Sequence, residues 1–402
     1  MYRRGITIVH PSFEILGGAE RVALKFMEAV AEEDLPINII TFNSIGIRRL
    51  LRDLSSKTHV RLWEFPYLMA RIPSINKGNV QALTLYPILM HLKLRHSMII
   101  NTKFNEMPTL ADVIYIHYPF YFVAAKNPLD RSLTEGPALG KYISSPLYAT
   151  YVRVSGIIGS RISWGYIESA SKVLFNSIYT YTLFRTYTAG RGNKFMILNP
   201  PIDNTYFKTV IQEKEEIIVM RTKGVNPKIV AEIVLRLAQT LRKWNIYIIG
   251  FANNQYYEAL KQKLGSSSNV KTLLNINEDV KQRLLSRAML YVHLTPYEHF
   301  GILIGEALAF GCKVVAHKFS GIVHDMALHH PRQLLGRCIN VYEGFQELPY
   351  IINNLVNDKQ FDPELCRSLV APFKEDVFKE KVKRIIATQT ENSTFNKPHS
   401  AG

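Results

Sequence analysis

The 402-residue chain is short of cysteine and of carboxylates, and it has no long apolar run. Its three cysteines, Cys312, Cys338 and Cys366, lie far apart with no paired spacing. They predict buried thiols in a reducing compartment, and neither a zinc site nor a disulfide framework. No stretch reaches the roughly 18 consecutive apolar residues of a membrane span. The N-terminus, MYRRGITIVHPSFE, is basic and then only briefly apolar, which predicts a first strand and not a secretory signal. Asp-x-Asp occurs nowhere, so nothing suggests a metal-held diphosphate. No G-x-G-x-x-G follows a predicted strand, which disfavours a dinucleotide oxidoreductase.

What is present is a globular composition, 47% hydrophobic and 20% charged. The length predicts two domains, not one core. Lys and Arg outnumber Asp and Glu by 49 to 33, a formal net charge of +16. The excess is concentrated in two blocks. Pro36 to Asn105 holds ten Lys/Arg against Asp53 and Glu64, and Gly136 to Pro200 holds seven against Glu168. Such blocks suit phosphates, nucleic acid, an anionic membrane surface or a plain solvated face. A basic nucleic-acid-binding protein would explain the charge, but no zinc pattern, RNA-recognition sheet motif or base-reading basic helix is visible.

Continuous apolar runs predict parallel strands covered on both faces at GITIVH, INIITF (37–42), MIINT (98–102), DVIYIH (112–117) and SKVLFNS (171–177). Val22, Leu24, Phe26, Met27 and Val30 recur at helical spacing, so a helix starts just after Gly17-Gly18. In the second half, strands at EIIVMR (216–221), NIYIIG, VKTLLNI, LYVHLT and KVVAH alternate with helices, the first capped by Asn226 with Pro227 in its first turn. That alternation means an open parallel α/β sheet. ILNPPIDNTYF (197–207) is a stiff joint, a long helix occupies about 362–390, and a disordered tail follows. The expected division is 1–205, 206–375, a C-terminal helix over 376–390 able to return to the first domain, and a tail over 391–402.

Ligands of open α/β sheets sit beyond the carboxyl ends of the strands, often on a helix N-terminus. Two junctions qualify. At His10 to Gly18, two glycines let backbone amides approach an anion. At Tyr297 to Ile302, the amides of Phe300, Gly301 and Ile302 point out of a helix start. In TPYEHFGILIGEALAFGCKVVAH (295–317), Glu306 lies in a helix whose other neighbours are apolar, and a buried carboxylate needs a partner. With a diphosphate at the helix start, the ribose hydroxyls would reach Glu306, and Glu298 would lie on the sugar side. The plainer alternative pairs Glu306 with a lysine or arginine from another helix. His10 and His299 are equally readable as structural residues.

PYEHFGILIGEALAFGCKVVAH resembles the E-x7-E motif of retaining, GT-B-fold glycosyltransferases of group 1. HPSFEILGGAERVA is similar to that family's N-terminal glycine loop, and VLFNS and ILNPPID match its pattern. IHYP (116–119) and AHKFSG (316–321) look closer to its α-1,2-mannosyltransferase branch, which acts on dolichol-linked oligosaccharide. The resemblance implies two Rossmann-like domains with parallel sheets facing across a cleft, an acceptor in the first and a nucleotide-sugar in the second. It implies that Gly17 and Gly18 face the diphosphate, that His117 sits near the transferred sugar and Glu298 binds its hydroxyls, and that Glu306 holds the ribose and Arg221 neutralises the diphosphate. The family places a lysine shortly after that arginine, where this chain has Asn226. Lys223 and Lys228 are the remaining candidates. The implied activity is retaining, metal-independent hexosyl transfer, mannose favoured, from a GDP- or UDP-sugar and without a cofactor, to a glycan or polyprenyl-phosphate-linked glycan. A sugar-nucleotide epimerase or hydrolase of the same fold is the alternative enzyme.

Two further stretches mix basic and apolar residues: VQALTLYPILMHLKLRHSM (80–98) and SPLYATYVRVSGIIGSRISWGYIESA (145–170). Tyr148, Tyr151, Trp164 and Tyr166 are rings of the interfacial kind. With the basic blocks they predict peripheral binding to the cytoplasmic face of an anionic membrane.

Overall fold

The computed structural model describes residues 5–66, 74–95, 97–134, 145–188, 193–222, 224–250, 254–265, 267–358 and 361–395. They fall into two units. Unit 1 comprises Met1–Pro128, Pro146–Pro201 and Glu375–Gly402; unit 2 comprises Leu129–Ser145 and Ile202–Lys374.

Unit 1 is built on seven strands: β1 (Ile6–Val9), β2 (Ile37–Thr41), β3 (Val60–Glu64), β4 (Met98–Asn101), β5 (Val113–Ile116), β6 (Lys172–Phe175) and β7 (Phe195–Ile197). They pair in parallel in the order β3-β2-β1-β4-β5-β6-β7. The central strands read as apolar runs because both faces are covered: every residue of β1 and β5 is buried. The two edge strands gave no such signal. Four of the five residues of β3 are exposed and β7 has only three residues, so neither needs an apolar run.

Helix α1 (Gly18–Glu32) buries Val22, Phe26, Met27 and Val30 on the sheet. Phe26 meets the edges of Tyr115 and Phe378 at 5.9 and 5.4 Å. Phe378 belongs to the last helix, which returns to unit 1 and is tied to α1 by Lys379 against Glu28 and Glu32 at 3.2 and 2.9 Å. The single helix expected over about 362–390 is two helices, Pro363–Ser368 and Glu375–Phe395. Pro372, in the intervening 3-10 turn, lacks the amide a continuous helix requires. The tail residues 396–402 lie outside the described residues. Two long helices cover unit 1 further, α2 (Ser74–Leu94) and α3 (Pro146–Ser169). Among the described residues no helix is long and apolar enough to cross a membrane.

Unit 2 holds β8 (Glu215–Arg221), β9 (Asn245–Gly250), β10 (Val270–Leu274), β11 (Ala288–His293), β12 (Lys313–His317) and β13 (Ile339–Tyr342). These six parallel strands run in the order β10-β9-β8-β11-β12-β13. Helices α4 (Pro227–Thr240) and α5 (Glu278–Arg287) start on the side chains of Asn226 and Asn277, which accept the amides of Lys228 and Val280 at 2.9 Å. Ile202 N–H donates to Phe373 O at 2.8 Å, so the chain enters and leaves unit 2 side by side.

The cysteines correct the sequence reading. Cys338 and Cys366 form a disulfide with Cα atoms 5.3 Å apart, and Cys312 is the one buried thiol. Twenty-eight residues separate the bonded pair; they meet because the helix Pro363–Ser368 and the start of β13 enter one apolar core with Phe310 and Leu335. The cysteine count therefore no longer argues for a reducing compartment.

Candidate active site

In each sheet the strand order reverses once, between β1 and β4 and between β8 and β11. Those are the positions where a parallel sheet leaves room for a ligand beyond its carboxyl edge.

In unit 2, Arg221 ends β8 and His293 ends β11, opposite each other in register. Tyr291 and His293 are two apart on one strand, so both side chains lie on the same face. The Tyr291 hydroxyl is 2.8 Å from His293 Nδ1, and His293 Nε2 is 3.3 Å from Glu298 Oε2. A carboxylate accepts, so His293 donates from Nε2, while its Nδ1 faces the Tyr291 hydroxyl. Burial by itself would raise the Glu298 carboxyl, but the His293 hydrogen bond and the charges of His293, His299 and Arg221 pull it down to about 2. Tyr291 lies among the other groups. Burial pushes its hydroxyl well up, Arg221 opposes, and Glu298 and Glu306 push further in the same direction. Arg221 and both carboxylates thus act electrostatically on one buried phenol.

The backbone that carries Glu298 is held in an unusual shape. Tyr297 has φ 52 and Gly301 has φ 96, both in the region that side chains disfavour. A Cβ on Gly301 would come within 2.8 Å of Ile304 Cδ1, and one on Gly321 within 2.0 Å of the His299 carbonyl oxygen. Gly321 N–H donates to Glu298 O at 2.9 Å, and Ile322 N–H to Phe300 O at 2.7 Å. The loop is therefore latched to the start of helix Gly321–Met326. Its own helix, α6 (Ile302–Ala309), opens with Ile304 N–H donating to Gly301 O at 3.0 Å. The amides of Phe300, Gly301 and Ile302 precede that first bond.

Glu306 is 2% exposed, and its partner is on α5. Lys281 Nζ lies 2.6 Å from Glu306 Oε2 and 2.8 Å from Glu278 Oε1, and Tyr206 donates its hydroxyl to the same Glu278 oxygen at 2.7 Å. The plainer alternative from the sequence, a lysine from another helix, is the contact observed. Arg221 is half-buried, whereas Lys228 is exposed in the first turn of α4. Lys223 lies outside the described residues.

In unit 1, His10 follows β1 and Thr102 follows β4. His10 Nδ1 is 2.9 Å from Thr102 Oγ1 and its Nε2 is 3.4 Å from Glu20 Oε1. Lys103 reaches the same Glu20 oxygen at 2.8 Å, and Gly17 N–H donates to Glu20 Oε2 at 3.0 Å. Against the burial that would raise it, His10 and Lys103 hold Glu20 well below the usual carboxylate range. So Gly17 points its amide at a carboxylate of its own helix, and Gly18 is that helix's first residue. His117 donates from Nε2 to Thr102 O at 2.9 Å, which leaves Nδ1 the basic nitrogen. Burial and the neighbouring Lys103 lower its pKa to about 3; the ring is neutral and can accept at Nδ1.

The structure places Arg221, Glu298, Phe300–Ile302 and Glu306 at one sheet edge of unit 2, and Gly17, Gly18 and His117 at one sheet edge of unit 1. The sequence reading missed His293, Tyr291, Lys281, Glu20 and Lys103 as members. Glu20 was legible, three residues after Gly17 as in a capping box. The Tyr-x-His alternation at the end of an apolar strand was a weaker signal, and neither lysine had one.

Residues 202–343 match the family model described as glycosyl transferases group 1. Unit 2 therefore carries a glycosyltransferase group 1 domain, and the chain has the GT-B class of fold, with two parallel-sheet Rossmann-like domains. Over 294 residues the chain is 26% identical to a Mus musculus protein named GDP-Man:Man(3)GlcNAc(2)-PP-Dol alpha-1,2-mannosyltransferase, covering 66% of this chain and 58% of that protein. The Homo sapiens protein of that name is 23% identical over 295 residues, with the same shares. The chain thus spans under two thirds of the length of these relatives. Among solved structures, WaaG, a glycosyltransferase involved in lipopolysaccharide biosynthesis, superposes with a TM-score of 0.63 at 18% identity, over 95% of this chain and 99% of that one. Anabaena HepE in complex with UDP and glucose gives 0.64 at 16% identity, over 96% and 100%. At those identities the likeness is one of fold.

Proposed function

We propose that this chain is a retaining glycosyltransferase that moves a hexose, mannose favoured, from a nucleotide-sugar to a glycan or lipid-linked glycan acceptor. The observation that carries the reading is that Arg221 stands in register with His293, which holds Glu298, and that Glu298 and Glu306 lie either side of the helix start at Ile302. A diphosphate fits the amides and the guanidinium. Glu306, oriented by Lys281, is the carboxylate we assign to the ribose hydroxyls. Glu298, ionised and oriented by His293, offers acceptors to the hydroxyls of the transferred sugar. The names of the curated relatives favour GDP-mannose as donor and a lipid-linked glycan as acceptor.

Transfer with retention needs the acceptor hydroxyl to approach from the side on which the diphosphate leaves. The bond from the anomeric carbon to the diphosphate oxygen breaks, the bond to the acceptor oxygen forms, and the acceptor proton passes to the departing diphosphate. The protein's work is then to stabilise charge on that leaving group and to align the acceptor. Arg221 and the amides of Phe300, Gly301 and Ile302 serve the first, with Lys228 as the second cation. His117, in unit 1, is neutral with Nδ1 able to accept a hydroxyl hydrogen, as its assignment to a sugar contact requires. Stabilisation by these groups requires no metal ion.

Unit 1 is the part we assign to an anionic membrane surface. On α3, Leu147, Val154 and Ile158 are 85%, 49% and 52% exposed, spaced to share one face, with Arg153 and Arg161 exposed beside them. Lys93, in the other basic stretch, is paired with Asp112 at 3.2 Å and is a poorer lipid contact than the sequence suggested.

The test is a transfer assay with GDP- and UDP-sugars, with and without a polyprenyl-diphosphate-linked glycan. Sugar appearing on the acceptor, and only when it is present, supports the reading. Turnover of the donor at the same rate without acceptor would replace it with an epimerase or hydrolase.

A further inference from the structure

Unit 1 has a cavity of about 320 Å³ at the amino edge of its sheet, the edge opposite His10 and His117. Its wall is cationic. Arg61 and Trp63 come from β3, and His91 and Arg95 come from the last turn of α2 and just beyond it, with Asn38 and Ser97 between them. Among the described residues no carboxylate lines it. The Arg61 guanidinium lies 6.0 Å from the Trp63 ring centroid, which fixes one cation against an indole. His91 and Arg95 complement the carbonyl end of α2. That accounts for neither Arg61 nor Trp63, which belong to the sheet. Ile88 and Leu92 add apolar surface to the lining, and Trp63 is 37% exposed.

We propose that this cavity binds a phosphate-bearing ligand, with Arg61 and Arg95 as its forked donors, His91 and Asn38 as further hydrogen-bonding groups and Trp63 packed against the group that carries the phosphate. Two guanidiniums from different elements, with no counter-charge between them, match the oxygens of a phosphate better than any neutral group does. The volume lies at the small end of ligand cavities, so the occupant is a headgroup or a small ester and not a whole nucleotide-sugar. The source is a phospholipid headgroup or a free phosphate ester. The lipid source deepens, and rests on, the assignment of unit 1 to a membrane; the free ester does not need it.

The full-length chain is compared with two double variants that lose the same charge, Arg61→Gln with Arg95→Gln in the cavity and Arg236→Gln with Arg242→Gln at exposed positions of unit 2. Equal ligand-free melting temperatures establish that both fold. Glycerol 3-phosphate is titrated by thermal shift, and co-sedimentation is measured with phosphatidylcholine vesicles containing phosphatidylglycerol. We expect the cavity variant to lose affinity on the order of tenfold or more in one of these arms, while the unit 2 variant changes much less. Loss confined to vesicles assigns a lipid headgroup, and loss with the soluble ester assigns a free one. Equal losses in the two variants, or no response of the native protein to either probe, would overturn the site. GDP binding is measured on the same samples. A native protein that binds no nucleotide would sink the transferase reading while leaving the cavity result standing.

Discussion

Each of the two units ends its switch-point strand with a histidine held in the same way. His10 in unit 1 and His293 in unit 2 both meet a hydroxyl at Nδ1, from Thr102 and Tyr291, and a carboxylate at Nε2, from Glu20 and Glu298. The difference lies in what else the carboxylate touches. Glu20 is spent: Lys103 takes one oxygen and Gly17 N–H the other, and its side chain is 9% exposed. Glu298 has His293 on one oxygen and is 24% exposed. The same local motif therefore serves to fix a loop in unit 1 and to present an acceptor in unit 2. On the proposed reading, the unused oxygen and not the histidine–carboxylate pair meets the sugar.

The sharpest way to break that comparison is to neutralise both carboxylates. Glu298→Gln should lower turnover by on the order of a hundredfold, because sugar alignment is lost, while calorimetry finds binding of sugar-free GDP or UDP nearly unchanged. Glu20→Gln should leave nucleotide binding intact but cost roughly 1.5–3 kcal/mol of stability in urea unfolding, since Lys103 keeps only Glu106, at 3.1 Å, and the charged acceptor is lost. If Glu20→Gln folds normally and Glu298→Gln turns over normally, the assignment of roles is reversed.

A second experiment sharpens the picture within unit 2. Glu306→Gln should weaken nucleoside diphosphate binding by roughly 1.5–3 kcal/mol, the cost of losing a charged hydrogen-bond acceptor. Lys281→Met should weaken it in the same direction and Lys281→Arg less. Both losses should shrink for a 2′,3′-dideoxy nucleotide, which has no hydroxyls to offer Glu306. Equal losses with the dideoxy compound would reduce Lys281–Glu306 to an internal ion pair.

Acid titration separates His117 from Glu298 by window. His117 has its pKa lowered from 6.5 to about 3, so the unfolded chain binds its proton more readily. The stability it contributes is complete above about pH 6.5 and is lost as pH falls toward 3. Glu298 is lowered from 4.5 to about 2; its contribution is complete above about pH 4.5 and is lost between there and 2. His117→Asn should therefore flatten the fall of melting temperature from pH 6.5 downward, whereas Glu298→Gln should alter it only below about 4.5. Burial lowers His10, His317 and His324 too, and they supply the slope that remains. Identical profiles for both variants would refute the separation.

The smallest expected effect is that of EDTA, which should leave transfer unchanged if Arg221 and the helix amides stabilise the diphosphate. Activity abolished by EDTA and restored by manganese would require an acidic metal site in place of that cationic one.

The sequence by itself determined the alternation of covered parallel strands and helices, the start of α1 at the glycine pair, the Asn226 cap and the loop that sets Glu298 and Glu306 either side of a helix start. These are local signals, written in runs of a few residues and in caps and turns. The edge strands β3 and β7 carry no such signal because half-solvated pairing demands no apolar run, and Pro372 divides the expected C-terminal helix in two. Tertiary structure alone decided who pairs with whom. Lys281 meets Glu306 from 25 positions away, Lys103 meets Glu20 from 83, and Cys338 meets Cys366 across 28. A buried charge requires an opposite charge but does not specify where in the chain it must come from, so its partner is set by which helices the sheet brings together.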